Sequence, residues 1–245
     1  MKIVVLTLFP EMFDSVLTSS ILGRARAQGL VEVDAVDIRP FSDKKHKNTD
    51  DYPFGGGAGM VMMAQPICGA VRHVRSQGVA GPCVYLSPKG KPLTQGMVRS
   101  LAKEESLLLL CGHYEGVDQR AIDLVVDQEI SLGDFVLTGG ELAAMVLVDA
   151  VSRYIPGVLG SGESTLEESF SEGLLEYPHY TRPRVYEGLE VPEVLVNGDH
   201  AKIKAWRREQ ALLATARLRP DLLPQASLTQ EDKRFLDRQE ESPCC

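Results

Sequence analysis

The sequence predicts an α/β protein: a parallel sheet with helices on both faces, followed by a small, mainly helical C-terminal domain. Strand-length apolar runs alternate with helix-length segments up to about residue 155, the rhythm of a sheet whose strands are joined by crossover helices. The earliest run, KIVVLTLF (2–9), is apolar throughout, as a strand buried on both faces should be. Beyond residue 173 the strand rhythm stops and a long basic amphipathic segment takes over.

The elements follow in order. Pro10 and Glu11 suit a first helical turn, with Met12, Phe13, Val16 and Leu17 at helical spacing. VEVDAVDI (31–38) alternates as a strand with one polar face. Residues 65–77 read as a helix, CVYLS (83–87) as a strand, 94–104 as a helix and LLLLC (107–111) as a short buried strand. A helix from about Val117 and a strand ending near Ser131 come next. GGELAAMVLVDAVSRYI (139–155) is a long apolar helix that stops before Pro156. Residues 156–173 are rich in Gly, Ser and Glu and read as a linker. In HAKIKAWRREQALLATARL, Ile203, Trp206, Gln210, Leu213 and Ala214 share a helical face, with Lys204 and Arg208 on the opposite side. The expected division is 1–155, a linker 156–173, and a C-terminal domain 174–245.

Composition bounds the function. At 44% hydrophobic and 24% charged, the chain is ordinary for a soluble globular protein. No apolar run approaches the roughly 20 residues that span a bilayer. The N-terminal stretch reads as a first strand and not as a signal peptide. Cys68, Cys83, Cys111, Cys244 and Cys245 form no C-x-x-C pair and carry no histidine spacing, against a zinc site or a disulfide framework. A cytoplasmic location is expected, with no metal ligands assigned. Net charge of −8 argues against indiscriminate coating of nucleic acid. Two basic patches stand out against it, RPFSDKKHK (39–47) and the segment from Asp199 to Arg219, and such patches can grip phosphates locally.

Glycine loops carry the strongest chemical signal. LCGHYEGVDQRAID and DQEISLGDFVLTGGE (within 110–141) each place glycines after an apolar run. Glycine admits close approach of backbone to a ligand, and loops at strand carboxyl ends are where open α/β sheets bind small molecules. Neither loop fits G-x-G-x-x-G after a first strand, and no G-x-x-x-x-G-K-[ST] is present. A third cluster, YPFGGGAGM (52–60), is either a phosphate cradle or a flexible connection.

LFPEMF, KHKNTDDYPFGGGAGM, YLSPKG, LCGHYEGVDQR, SLGDFVLTGGELAAM, SRYIPGVLG, ESF and GLLEYPHYTRP occur in this order. Together they resemble the successive signatures of the bacterial tRNA (guanine-N1)-methyltransferase TrmD family, of the SPOUT class. The resemblance runs from Met1 to about Leu222. It implies a trefoil-knotted α/β domain that binds S-adenosylmethionine, a homodimer with the active site at the subunit interface, and a tRNA substrate methylated at N1 of guanosine 37. The knot comes from the resemblance alone, since connections between elements are ordinarily unknotted.

The resemblance also implies site residues. One cofactor wall is Tyr85, Leu86, Ser87 and Pro88, and a second is Gly112, Tyr114, Glu115 and Gly116. The third is Ser131, Leu132, Gly133, Asp134, Phe135, Val136 and Leu137, followed by Gly139 and Gly140. N1 of guanine carries a hydrogen, so a general base must remove it, and charge then moves onto O6, where a cation stabilises it. The family places an aspartate before a Ser-Phe pair for the first task. Here Glu168 precedes Ser169 and Phe170, one methylene longer, with Glu163 and Glu167 close by. Arg153 matches the family's catalytic arginine. Magnesium is a possible further requirement, though Glu115 alone does not make a metal site. Lys44, Lys45, His46, Lys47, Lys204, Arg207 and Arg208 are candidate tRNA phosphate contacts. His179, Tyr180 and Arg182 combine ring faces and a cation suited to unpaired bases. The alternatives are a SPOUT methylase of another RNA position and a non-catalytic, nucleotide-responsive RNA-binding protein.

Overall fold

The computed structural model describes residues 1–160 and 168–240. The chain divides into two compact units, Met1–Gly162 and Glu163–Cys245.

In the first unit, β1 (Lys2–Thr7), α1 (Asp14–Thr18), α2 (Ser20–Ala27) and β2 (Glu32–Asp37) come first. A 3-10 turn at Pro10–Phe13 replaces the start of the predicted first helix. A two-residue antiparallel pair, β3 (Asp50–Asp51) with β4 (Val61–Met62), precedes α3 (Ala64–Ser76). Then come β5 (Cys83–Pro92), α4 (Gln95–Leu101), β6 (Ser106–Cys111), α5 (Gln119–Val125), β7 (Gln128–Ser131) and α6 (Glu141–Ser152). The sheet order is β2-β1-β6-β5-β7, and every pairing in it is parallel.

Strand β6 (SLLLLC) is buried at every residue, because strands and helices cover it on all sides. Side chains of adjacent residues leave opposite faces of a strand. Accordingly Leu107 and Leu109 join Ile3 and Val5 in one core with α4 and α6, through Val98, Leu101, Leu147 and Val151. Leu108 and Leu110 join Val4 and Leu6 in the other, with α3 and α5, through Ile67, Val71, Val74 and Ala121. The two cores are the physical content of a sheet covered on both faces.

Strand β5 runs five residues past its predicted end at Ser87. Its pairing with β7 breaks after Leu86 and resumes at Lys91 opposite Ile130. Gly90 permits this, since a β-carbon there would lie 2.4 Å from the Ile130 backbone nitrogen. The first residues of the predicted linker continue the packing of this unit, with Val158 against the α6-side core. Residues 161–167 of that linker, and with them Glu163 and Glu167, lie outside the described residues, as do Cys244 and Cys245.

The second unit is built on α7 (His200–Leu218) and α8 (Gln230–Glu240), with a small hairpin of β8 (Val185–Tyr186) and β9 (Leu189–Glu190). Its core contains Leu174, Ala211 and Leu212, with Leu223, Phe235 and Leu236 against them. The buried side of α7 therefore differs from the predicted face. Ala211, Leu212 and Thr215 turn inward, and Gln210, Leu213 and Ala214 are only half-buried. Polar groups on that side are satisfied by distant partners. Thr215 Oγ1 donates to the Ala211 carbonyl at 2.7 Å and accepts from the Leu175 amide at 2.8 Å.

Arg208, one turn earlier on the same side, is engaged internally. Its Nη2 meets Asp232 Oδ2 at 2.9 Å and its Nη1 meets Glu172 Oε2 at 2.6 Å. Asp232 is 6% exposed and also accepts from the Thr229 amide, so the pair fastens α8 to α7. Removing Arg208 leaves a buried carboxylate short of its donors. Arg208→Ala is expected to cost about 1–3 kcal/mol in urea denaturation at neutral pH. The Arg208 guanidinium also holds the Asp232 carboxyl below its ordinary value of 3.8. With the folded value the lower one, this stabilisation is complete above the unfolded pKa and is lost as pH falls through the folded pKa. The stability gap between wild type and Asp232→Asn should therefore be full at neutral pH and close below pH 3.8; a gap independent of pH would remove the ion pair from this role.

Candidate functional site

The irregular stretch of β5 around Ser87 and loops from the carboxyl ends of β6 and β7 converge on one pocket of about 310 Å³ in the first unit. Each loop is shaped locally. Where the pairing of β5 with β7 breaks, the Ser87 hydroxyl accepts from the Lys89 amide at 3.2 Å. After β6, Tyr114 sits at φ +59° and Gly116 at φ +133°, and the Gly116 amide closes a turn on the His113 carbonyl. After β7, the Ser131 hydroxyl donates to the Gly133 carbonyl and accepts from its amide.

The second and third loops are tied together by main chain. The Gly140 amide donates to the Gly112 carbonyl at 2.8 Å. A β-carbon on Gly140 would stand 2.7 Å from Cys111 Cα, and one on Gly112 would stand 2.8 Å from the Tyr85 hydroxyl. Glycine is needed here for close approach rather than for an unusual dihedral.

Of the predicted cofactor residues, Tyr85, Leu86, Ser87, Pro88, Gly112, Tyr114, Glu115 and Gly116 line this pocket. So do Ser131, Leu132, Gly133, Phe135, Val136, Leu137, Gly139 and Gly140. Asp134 does not: it is exposed, at the apex of the turn that the Phe135 amide closes on the Gly133 carbonyl.

The structure adds His113, Glu129, Lys89, Gln119 and Val61 to the lining. Val61 arrives through the glycine cluster at 52–60. The Glu115 amide donates to the Met60 carbonyl, and the Met62 amide to Gly116. The Glu115 side chain fills the space where a Gly59 β-carbon would be. That cluster is thus docked on the pocket's second loop, with Tyr52 and Phe54 exposed on it. The β3–β4 pairing and the short parallel contact of Met62 with Val117 that accompany this docking are too short to leave a sequence signal. An acid inside the strand QEIS was the available signal for Glu129.

Two buried polar atoms in the lining, His113 Nδ1 and Glu129 Oε2, have no hydrogen-bond partner among the described residues. Burial pushes the Tyr85 phenol up to about 12, with the neighbouring Glu129 charge adding to it. Glycine-lined main chain and apolar walls make a site for a flat ligand. Among the described residues no three His, Cys, Asp or Glu side chains converge to hold a metal ion, and no helix is long and apolar enough to cross a membrane.

The profile of the family described as tRNA (Guanine-1)-methyltransferase TrmD matches residues 1–225. The chain belongs to the TrmD family. A relative from Moorella thermoacetica named tRNA (guanine-N(1)-)-methyltransferase is 56% identical over 239 residues, 97% of this chain and 96% of its own length. A relative of the same name from Caldanaerobacter subterraneus subsp. tengcongensis is 60% identical, covering 95% of both chains. A third, from Pelotomaculum thermopropionicum, is 57% identical over 96% of this chain and 95% of its own.

The remaining TrmD-type candidates lie outside the pocket lining. Arg153 is the C-cap of α6, its amide bonded to the Asp149 carbonyl. Glu168 belongs to the second unit and opens a turn, its carbonyl accepting from the Ser171 amide. Ser169 Oγ accepts from the Glu176 amide at 3.0 Å, and Phe170 stands at φ +71°. Lys44, Lys45 and His46 are on an exposed loop, whereas Lys47 folds back, its ammonium donating to the Ser42 carbonyl at 2.7 Å. His179 pairs with Glu176 at 2.8 Å and stacks near Tyr177. The Arg207 guanidinium lies 4.7 Å from the Tyr177 ring centroid, and Tyr180 lies 6.3 Å from Trp206. Arg182 and Lys204 are exposed. Arg208, also a candidate phosphate contact, is bonded to Asp232 and Glu172, which leaves its guanidinium fewer donors for a phosphate.

Gly140→Ala should force the second and third loops apart. The expected result is a loss of about 1–3 kcal/mol, with faster amide exchange at residue 140 than in wild type. A variant equally stable and equally protected would show that these backbones are not in contact.

Proposed function

We propose that this protein transfers a methyl group from S-adenosylmethionine to N1 of guanosine 37 in tRNA. The observation that carries the reading is the convergence of the three family-matched loops on one pocket, in a chain that the TrmD profile matches over residues 1–225. The close glycine approach at Gly112, Gly139 and Gly140 suits this cofactor. When bound, S-adenosylmethionine supplies an electrophilic methyl carbon on a sulfonium.

The work of the chain is positioning, one proton and one developing charge. Leu86, Leu132, Val136 and Leu137 give the pocket apolar walls. Glu168 is the general base that takes the N1 hydrogen. The turn at Ser171, the Ser169 bond to Glu176 and the strained Phe170 fix its backbone, where the extra methylene of glutamate has to be accommodated. Arg153 stabilises the charge that moves to O6.

The first domain (1–155) is the cofactor domain, residues 156–173 its linker, and 174–245 the tRNA-binding domain. Lys44, Lys45, His46 and Lys47 of the first domain and His179, Tyr180, Arg182, Lys204 and Arg207 of the second are the RNA contacts. Support for the SPOUT knot comes from the path of residues 132–140: β7 lies at the sheet edge beside β5, while α6 packs on β6 and β1. The chain must therefore cross the end of the sheet to reach α6. Support for a homodimer with a shared active site comes from Leu142 and Val146, 53% and 49% exposed one turn apart on α6, and from the exposed Phe135 and Val136 on the loop that precedes it. Action on tRNA fits a cytoplasmic enzyme.

Labelled S-adenosylmethionine with unmodified tRNA tests the whole reading. Label at N1 of guanosine 37 is expected; absence of label removes catalysis, and label elsewhere on the RNA moves the activity to another position. Glu168→Ala should lower the single-turnover rate by about 10²–10⁴-fold with cofactor affinity nearly unchanged, and Glu168→Asp should stay active. Arg153→Ala should lower it by roughly 10²-fold. A near-normal rate in either alanine variant takes that residue out of the chemistry.

A further inference from the structure

Arg153 stands at the end of a helix, and helix ends fray. Its amide is bonded to the Asp149 carbonyl. Beyond it the chain closes in tighter turns, with the Tyr154 amide on the Val151 carbonyl at 3.0 Å and the Ile155 amide on the Ser152 carbonyl at 3.1 Å. Such turns have poorer hydrogen-bond geometry than the helix before them. The side chain of the next residue fastens this end to α4. Gln95 Nε2 donates to the Tyr154 hydroxyl, the Arg99 guanidinium lies 5.7 Å from the Tyr154 ring centroid, and Tyr154 packs on the α6-side core. Gln95 and Arg99 are one turn apart on α4 and so share a face.

The support that α4 offers is firm. Thr94 caps it, its hydroxyl accepting from the Met97 amide, and Val98 and Leu101 share a core with Leu147 and Val151 of α6. Just before α4, the Leu93 amide donates to the Ser131 carbonyl at 2.8 Å, and Ser131 lines the pocket. Gln95 is thus placed by the strand end that shapes the cofactor site. A guanidinium on a long flexible side chain needs a defined origin, since a displacement of about 1 Å can cost on the order of 10²-fold in rate. Resting on the reading of Arg153 as the group that stabilises O6, we propose that Tyr154, anchored by Gln95, is the positioning residue for that arginine. It fixes the backbone from which the guanidinium reaches and takes no part in the methyl transfer itself.

A double-mutant cycle on single-turnover methyl transfer tests this, with Tyr154→Phe, Gln95→Leu, Arg153→Ala and their pairs. Tyr154→Phe keeps the ring and loses only the hydroxyl, and Gln95→Leu removes the donor. Each should lower the rate at saturating cofactor and tRNA by roughly tenfold, with affinity for S-adenosylmethionine unchanged. In the Arg153→Ala background neither should lower it further, because residues that act as a unit are non-additive. A purely structural tyrosine would lower the melting temperature and leave that rate intact, and this result overturns the proposal. Loss by the same factor with and without the arginine overturns it too, because the tyrosine would then act by itself. So does weakened cofactor binding, which would place the effect at Ser131. A near-normal rate for Arg153→Ala alone is a separate failure: it removes the arginine from the chemistry, and the proposal with it.

Discussion

The pocket depends on one close approach of backbone to backbone, where the chain leaving β7 passes the end of β6 and the Gly140 amide bonds to the Gly112 carbonyl. Cys111 and Gly112 leave no room there for a side chain on residue 140. β6 can serve as the fixed point because it is the central strand and is buried at every residue. A packed interior deforms little, so loops anchored to it keep their spacing. From that contact follow the start of α6 at Glu141 and the wall from Ser131 to Gly140. Glu141 is itself buried, 2% exposed, and accepts from the Thr7 hydroxyl at 2.7 Å. The same hydroxyl accepts from the Phe9 amide, so the end of β1 is tied to the start of α6.

Charge is divided between structure and surface by pairing. Arg208 lies among acids and closes α8 onto α7, while Lys44, Lys45 and His46 stand on an exposed loop. In sequence these residues look alike, as members of two basic patches in a chain of net charge −8. What separates them is whether a carboxylate from a distant segment sits within bonding distance. Asp232 is 24 residues from Arg208 and Glu172 is 36 away, beyond the reach of any local pattern. Paired cations stabilise their unit, and cations exposed to water keep donors for a phosphate backbone.

Much of the first unit was legible because its signals are local. Continuous apolar runs announced β1 and β6, strict alternation announced β2, and the helices read over 65–77 and in the long apolar segment 139–155 correspond to α3 and α6. Glycines after such runs marked the loops, and all the loop residues assigned to the cofactor except Asp134 line one pocket. The extension of β5 past Ser87 was hidden, since it needs Gly90 to pass within contact of β7. The inward face of α7 was hidden for a similar reason. Thr215 and Arg208 are polar in composition but are satisfied by Leu175, Asp232 and Glu172, which hydropathy cannot anticipate.

The sequence by itself determined the class of fold, the order of the main sheet's strands and most of their crossover helices, and the family, because periodicity and motif order are properties of neighbouring residues. Only the tertiary structure decided what meets what. It docked the 52–60 glycine cluster on the Glu115 loop, set Glu129 beside Tyr85 with one oxygen unpaired, and turned Arg208 inward. Each of these joins segments far apart in the chain, and pairing across a fold is fixed by packing and hydrogen-bond satisfaction rather than by spacing along the backbone.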